Sequence, residues 1–201
     1  MAKILMAMSG GVDSSVAAAL LAKEGHEVVG CFMRLGSVGD QLDQEVSIGH
    51  KGCCSITDAH DARHVSAKLG MSFYALDFKE DFSRIIDYFV DEYNAGRTPN
   101  PCVRCNDWLK FGKLHDYAKS IGAEFVASGH HAQIKQGEDG AELHLGADAG
   151  KDQSYVLFGA SRDRIGEMML PIGHLQKSEV RELAKEFDLP IFNKPDSQEI
   201  C

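Results

Sequence analysis

The chain has 201 residues, 44% of them hydrophobic and 25% charged, a composition that supports a packed core and excludes a disordered chain. A formal charge of −9 excludes a global positive field for nucleic acid, so any such partner needs a local basic patch or another domain. No apolar run reaches the roughly 18 residues of a membrane helix, the N-terminal apolar stretch is too short for a signal peptide, and six cysteines fit a reducing compartment; the expected location is cytoplasmic, with no membrane partner.

Apolar runs alternate with helical patterns, which predicts an α/β fold with a doubly wound parallel sheet. A strand over Lys3–Met8 leads into the loop Ser9–Ser15, then an alanine-rich helix over Val16–Lys23 ended by Gly25. Glu27–Met33 reads as a second strand, and Gly36–Gly52 loses all pattern in Gly, Ser, Asp and Gln, a flexible stretch. A helix over Ser55–Leu69 and a strand over Ser72–Leu76 follow. Phe82, Ile85, Ile86, Phe89, Val90 and Tyr93 then fall on one helical face. Gly96–Asn106 reads as a loop, Asp107–Ile121 as a helix, Glu124–Ser128 as a strand and 131–146 as a polar hairpin around Gly137 and Gly140. Helices are expected at Lys151–Ala160 and Lys177–Phe187. There are no internal repeats.

Two segments carry chemistry. A strand, Ser9-Gly10-Gly11-Val12-Asp13-Ser14-Ser15 and a helix together place backbone N–H groups and a helix N-terminus against an anion. Ser9, Ser14 and Ser15 add hydroxyl donors, and Asp13 is placed to hold Mg²⁺ on the same phosphates. The spacing is neither a Walker A loop nor a dinucleotide fingerprint. The second segment is Gly96-Arg97-Thr98-Pro99-Asn100-Pro101-Cys102-Val103-Arg104-Cys105-Asn106, whose Cys-x-x-Cys turn brings two sulfurs close enough to share a metal, a cluster or a disulfide. Cys201, in Lys194-Pro195-Asp196-Ser197-Gln198-Glu199-Ile200-Cys201, is a third candidate. Cys31 reads as a core residue, and Cys53-Cys54 as structural or incidental thiols. His130, after the strand end at Gly129, lies where parallel sheets place ligand sites, whereas His60, His64, His115, His144 and His174 lack metal spacing.

Ser-Gly-Gly-Val-Asp-Ser-Ser resembles the loop of the ATP pyrophosphatases, which cleave ATP between the α- and β-phosphates and adenylate a substrate oxygen. Gly-Arg-Thr-Pro-Asn-Pro with its downstream Cys105-Asn106, Lys110-Phe111-Gly112, Ser128-Gly129-His130, Lys151-Asp152-Gln153-Ser154-Tyr155 and Lys177-x-Glu179-Val180-Arg181 follow in order. With the glycine loop, these resemble the tRNA-specific 2-thiouridylases over nearly the whole chain. Such enzymes replace the C2 oxygen of the wobble uridine (position 34) of Lys-, Glu- and Gln-type tRNAs with sulfur, releasing AMP and pyrophosphate.

The resemblance implies a Rossmann-like, adenine nucleotide α-hydrolase-like fold. It implies ATP bound by Ala7, Met8, Ser9, Gly10, Gly11, Val12, Asp13, Ser14, Met33 and Gly129. Asn100, Pro101 and Cys102 would meet the target base, and His130, Lys151, Asp152 and Gln153 would contact tRNA or position that base, once flipped from its stack. In a persulfide relay Cys201 carries the sulfur to C2 and Cys105 resolves the adduct, leaving a Cys105–Cys201 disulfide. Many family members have Asp-x-x-Cys where this chain has Cys102-x-x-Cys105. The Cys-x-x-Cys members instead resemble enzymes whose three cysteines (here Cys102, Cys105 and Cys201) hold a [4Fe–4S] cluster with one iron open to hydrosulfide. The sulfur donor is accordingly a persulfide carrier or hydrosulfide.

A catalytic domain is expected over residues 1–160, with 161–201 beginning a following tRNA-binding or linker region; the family continues well over a hundred residues further. Arg97, Arg104, Lys110 and Lys113 are the local basic candidates. The competing readings are another adenylating ATP pyrophosphatase with a small-molecule substrate, and a non-enzymatic iron–sulfur redox module.

Overall fold

The computed structural model describes residues 1–36 and 55–196. Apart from Gly36, the polar stretch read as flexible lies outside the described residues, as do Cys53, Cys54 and Cys201. The first βαβ unit comprises β1 (Lys3–Ala7), α1 (Val12–Lys23) and β2 (Glu27–Arg34); α2 (Ile56–Lys68), β3 (Ser72–Asp77) and α3 (Lys79–Asn94) follow. After α4 (Pro101–Arg104) come a π-helical turn over Cys105–Lys113, α5 (Leu114–Ser120), β4 (Phe125–Ser128) and the hairpin β5 (Ala132–Gly137) and β6 (Gly140–Leu145). The described chain closes with α6 (Arg162–Ile165), β7 (Met168–Met169) and α7 (Lys177–Glu186).

The five-stranded sheet has the order β3-β2-β1-β4-β7 and every pairing is parallel, so this is a doubly wound sheet. Strand order reverses between β1 and β4. In such sheets the crevice beyond the carboxyl ends of the strands at the reversal is where ligands sit. The loops after β1 and β4, Ser9–Gly11 and Gly129–His130, therefore face the same crevice. Being covered on both faces, β1 and β2 bury continuous runs: Ile4 to Ala7 and Val28 to Met33.

Several boundaries shift for local reasons. The helix after the glycine loop begins at Val12 rather than Val16, because Ser14 and Ser15 donate their hydroxyls to the Gly11 carbonyl and continue the turn. The segment 101–106 is helical rather than loop. Asn100 Oδ1 accepts from the amides of Cys102 and Val103, and Pro101 at the first helical position has no amide to leave unpaired. Lys151–Ala160 holds one short 3₁₀ turn at Ser154–Val156, since the Asp152 carboxylate accepts from Ser154 and Gly146 and shapes a turn instead of an α-helix. The helix read from Phe82 to Tyr93 forms, yet of that face only Ile85 is buried, while Ile86, Val90 and Tyr93 stay exposed.

The boundary expected at residue 160 is no break in packing. β7 extends the sheet beside β4, and Val180, Ala184, Leu189 and Ile191 share a core with Ile4, Val16 and Leu21. The segment 161–196 belongs to the same body as the glycine loop. The two-residue β7 carries no periodicity that could have announced it.

Candidate active site

A cavity of about 280 Å³ opens at the strand-order reversal. From β1 and its loop it is lined by Ala7, Met8, Ser9, Gly11, Val12, Asp13 and Ser14, from β2 by Cys31, Phe32 and Met33, and from β4 by Ser128, Gly129, His130 and His131. Cys105 and Lys110 of the π-helical turn, Lys151 and Gln153, and Pro195 and Asp196 complete the wall. Every residue read as nucleotide-binding lines it except Gly10, whose part is backbone. Gly10 has φ +75°, the left-handed region, and a Cβ there would lie 2.2 Å from the Asp58 carbonyl oxygen. Gly129 is held as closely from the other side, since its Cβ would lie 2.5 Å from the Ser14 amide nitrogen. Glycine is thus required twice, where the β1 loop meets α2 and where the β4 loop meets the first turn of α1.

The glycine loop is fastened by hydroxyls: Ser14 Oγ accepts from the Ser9 amide at 3.2 Å and lies 3.1 Å from Ser9 Oγ. Gly11 caps α1 without a side-chain bond, so the first amides of that helix are left for an anion. Asp13 is gripped by Lys177 Nζ at 2.6 and 2.7 Å to its two oxygens. Burial works to raise the Asp13 pKa, but His131 and Lys177 beside it outweigh this and hold it below the usual carboxylate range. Asp196 behaves alike: burial opposes ionisation, while hydrogen bonds from Lys151 and Lys177 bring its pKa down to about 2.

These depressed carboxylates set an acid limit. A carboxylate whose folded pKa lies below its unfolded one contributes stability above the unfolded value, and that contribution is lost as pH falls through the folded one. The urea midpoint is thus expected to hold above pH ~5 and to fall between about pH 4 and 2. Asp196→Asn should remove roughly 1–2 kcal/mol of that dependence once solvent screening is allowed for. An equal slope in both proteins would refute this assignment.

His130 is buried, its Nδ1 2.7 Å from Ser128 Oγ. Burial first, then the charges of Lys110 and His131, push its pKa well below the ordinary histidine range, so the ring facing the cavity is neutral. His131 is also buried; its Nε2 stands 3.5 Å from Asp13 and neither ring nitrogen makes a hydrogen bond. Burial pushes the Cys31 thiol up to about 12, which leaves it a protonated wall residue. Cys105 is 3% exposed, and burial raises its pKa while Lys110 pulls it back.

The π-helical turn explains that pairing. At roughly 3.6 residues per turn, positions five apart diverge, whereas the wider π spacing brings Cys105 and Lys110 towards one face. Gly112 belongs to this geometry, since a Cβ on it would stand 2.8 Å from the Asp107 carbonyl oxygen. Of the basic candidates, Arg97 is paired with Glu92, Arg104 with Asp107 and Lys113 with Asp81; Lys110 has no ion pair among the described residues.

Other expected site residues are placed apart from the cavity. Cys102 is half-buried and does not line it, nor do Asn100 and Pro101, which start α4. Asp152 is turned to Gly146 and Ser154, whereas Gln153 Oε1 accepts from the His131 amide at 3.0 Å. Among the described residues no group of three His, Cys, Asp or Glu side chains could hold a metal ion. Of the three thiols read as cluster ligands, Cys102 and Cys105 are described and only Cys105 faces the cavity, while Cys201 lies outside the described residues. Reasoning from the sequence missed Lys177 and Asp196 as site residues and read Lys110 only as a local basic candidate. Lys177 and Asp196 stood within recognised motifs, but nothing in their spacing showed that they meet.

A family model described as "tRNA methyl transferase HUP domain" matches residues 2–201. The chain is 49% identical to a "tRNA-specific 2-thiouridylase MnmA" of Rhodopirellula baltica, covering 100% of this chain and 56% of that protein. It is 50% identical to one of the same name from Geobacter metallireducens, covering 99% of this chain and 54% of that protein. The chain thus spans about half the length of the curated relatives it matches. Among solved structures, one titled "Crystal structure of a 4-thiouridine synthetase - RNA complex with bound ATP" superposes with a TM-score of 0.60 at 16% identity, over 96% of this chain and 43% of that one. An NMN synthetase from Francisella tularensis superposes at 0.54 with 19% identity, over 98% of this chain and 66% of that one. At such identities the likeness is one of fold.

Proposed function

The chain belongs to the tRNA methyl transferase HUP domain family, and on that footing we propose that it is the catalytic part of an ATP-dependent tRNA thiolase acting at C2 of the wobble uridine. The observation that carries this reading is that a phosphate-type glycine loop and a buried thiol, Cys105, line one cavity. A methyl transfer, which the family's description suggests, has no use for that pairing. The 2-thiouridylase names of relatives at 49% and 50% identity support the same reading.

ATP would lie with its phosphates on the first amides of α1 and its base against Phe32 and Met33. Mg²⁺, when bound, would neutralise phosphate charge, and Asp13 of the glycine loop would hold it once Lys177 turns to the phosphates. The uridine C2 oxygen attacks the α-phosphorus and pyrophosphate leaves. A persulfide on Cys201 then attacks C2, AMP departs with the oxygen, and the base is joined to Cys201 through two sulfurs. The Cys105 thiolate attacks the Cys201 sulfur, which releases 2-thiouridine and forms a Cys105–Cys201 disulfide that an external thiol reduces. Neutral His130 can donate or accept one hydrogen bond at the base without adding charge. At net −9, this part of the molecule binds tRNA weakly without further chain.

The test is incubation with Mg·ATP, a persulfide donor and unmodified tRNA carrying a wobble uridine. Sulfur should enter that uridine with one AMP and one pyrophosphate formed per thiolation. ATP cleavage that responds to a small amine or acid and ignores tRNA would establish the small-molecule synthetase instead.

A further inference from the structure

Asp196 lies on the cavity wall with three cations converging on its carboxylate: Lys151 at 2.8 Å, Lys177 at 2.9 Å and Arg181 at 2.8 Å. Lys177, its side chain 12% exposed, also grips Asp13, so the cluster holds three positive charges against two negative. A carboxylate so surrounded is a poor ligand for a divalent cation, which the lysines would repel. Three convergent cations beside the free amides of a helix are, in contrast, what a phosphate group requires. The segment bearing Asp196 is held to the same place by a second latch. Lys194 Nζ donates to the Gly10 carbonyl at 3.1 Å and to Asp58 at 2.7 Å, while Arg181 donates to the Lys194 carbonyl at 3.1 Å.

We propose that Lys151, Lys177 and Arg181 form the subsite for the departing pyrophosphate end of ATP, and that Asp196 keeps this place as an internal anion until the nucleotide displaces it. A diphosphate brings more charge and more oxygens than one carboxylate, and once it arrives Asp196 is repelled from the wall. The strap over Ile191–Asp196 then loses the anchors on its Asp196 end and keeps those of Lys194 and the buried Ile191. Nucleotide binding is in this way coupled to release of the segment leading to Cys201, the sulfur carrier of the thiolation reading on which the inference rests. Lys151 accordingly serves the nucleotide rather than tRNA.

Calorimetric titration of inorganic pyrophosphate and of Mg·ATP into the protein and its Asp196→Asn variant tests this at fixed ionic strength. With the competing carboxylate removed, Asp196→Asn should bind pyrophosphate roughly three- to tenfold more tightly, because the competent state no longer has to be reached by displacement. Unchanged or weaker binding overturns the proposal. Hydrogen exchange on the unmutated protein gives a reading that survives any loss of stability in the variant. Amides of residues 191–196 should exchange faster with pyrophosphate present, and slower or equal exchange overturns the idea. If the unmutated protein binds neither pyrophosphate nor Mg·ATP, the nucleotide reading has itself failed. If it binds both and the variant gains nothing, only the displacement by Asp196 has failed.

Discussion

Cys105→Ser is expected to lower thiolation by roughly 10³-fold or more, about 4 kcal/mol in the barrier, while pyrophosphate release on mixing with ATP and tRNA persists. The substitution changes almost nothing in size, and the side chain sits on the cavity wall rather than in a sealed core, so the fold should survive. What is lost is the nucleophile. A hydroxyl at neutral pH has no counterpart to the thiolate that attacks the Cys201 sulfur, and Lys110 cannot lower its pKa far enough to supply one. Burial makes even the native thiol reluctant to ionise. Activity should therefore climb with pH in the native protein and stay flat in the variant. Cys102→Ala separates this relay from a cluster. Cys102 does not face the cavity, so the relay predicts thiolation within a fewfold of native and no iron in either protein. Thiolation abolished equally in both variants, with about four irons and four sulfides per native chain after anaerobic purification, would instead establish the cluster and remove the relay.

What could be read in the sequence follows from how local each signal is. The parallel sheet was legible because β1 and β2 are buried on both faces and read as unbroken apolar runs beside a glycine loop. The π-helical turn was not: nothing in the composition of Cys105–Lys113 separates a π-helix from an α-helix, and the register that brings Lys110 under Cys105 goes with Gly112 packing against the Asp107 carbonyl. Asn100-Pro101 is a helix-start signal, yet Pro99 and Gly96 around it favoured a loop. Lys177 pairs with Asp13, 164 residues away, and Asp196 with Lys151, 45 residues away, contacts that no periodicity encodes. Their ion pairs exist because α7 returns to pack on α1, a tertiary event announced only by the apolar face of Val180 and Ala184. The core face of α3 shows the opposite failure. The amphipathic stripe was right for helix type but not for burial, since β3 lies at the sheet edge and leaves Ile86, Val90 and Tyr93 uncovered.

Gly10→Ala should destabilise the protein by roughly 2–5 kcal/mol and abolish ATP binding together, because one methyl group offends twice. The residue has φ +75°, which alone costs an L-side chain about 1–2 kcal/mol. The Cβ would then stand 2.2 Å from the Asp58 carbonyl oxygen and 2.8 Å from its Cα, backbone atoms that no rotamer change can move aside. Asp58 is also the capping-box partner of Ser55 at the start of α2, so that helix cannot retreat without losing its own first turn. The strain is expected to pass instead into the loop, turning the Gly11 and Val12 amides away from the anion. Gly129→Ala should lose nucleotide with little positive-φ strain, its Cβ abutting the Ser14 amide at 2.5 Å. Chemical denaturation with ATP titration distinguishes the two. Gly25→Ala supplies the control, for its φ of +87° carries the same backbone strain with no atom within 4 Å of the new Cβ. That variant should lose about 1–2 kcal/mol and keep full ATP affinity. If Gly10→Ala did no more than Gly25→Ala, the close approach of α2 to the glycine loop would have no energetic weight, and the loop would owe its shape to glycine flexibility alone.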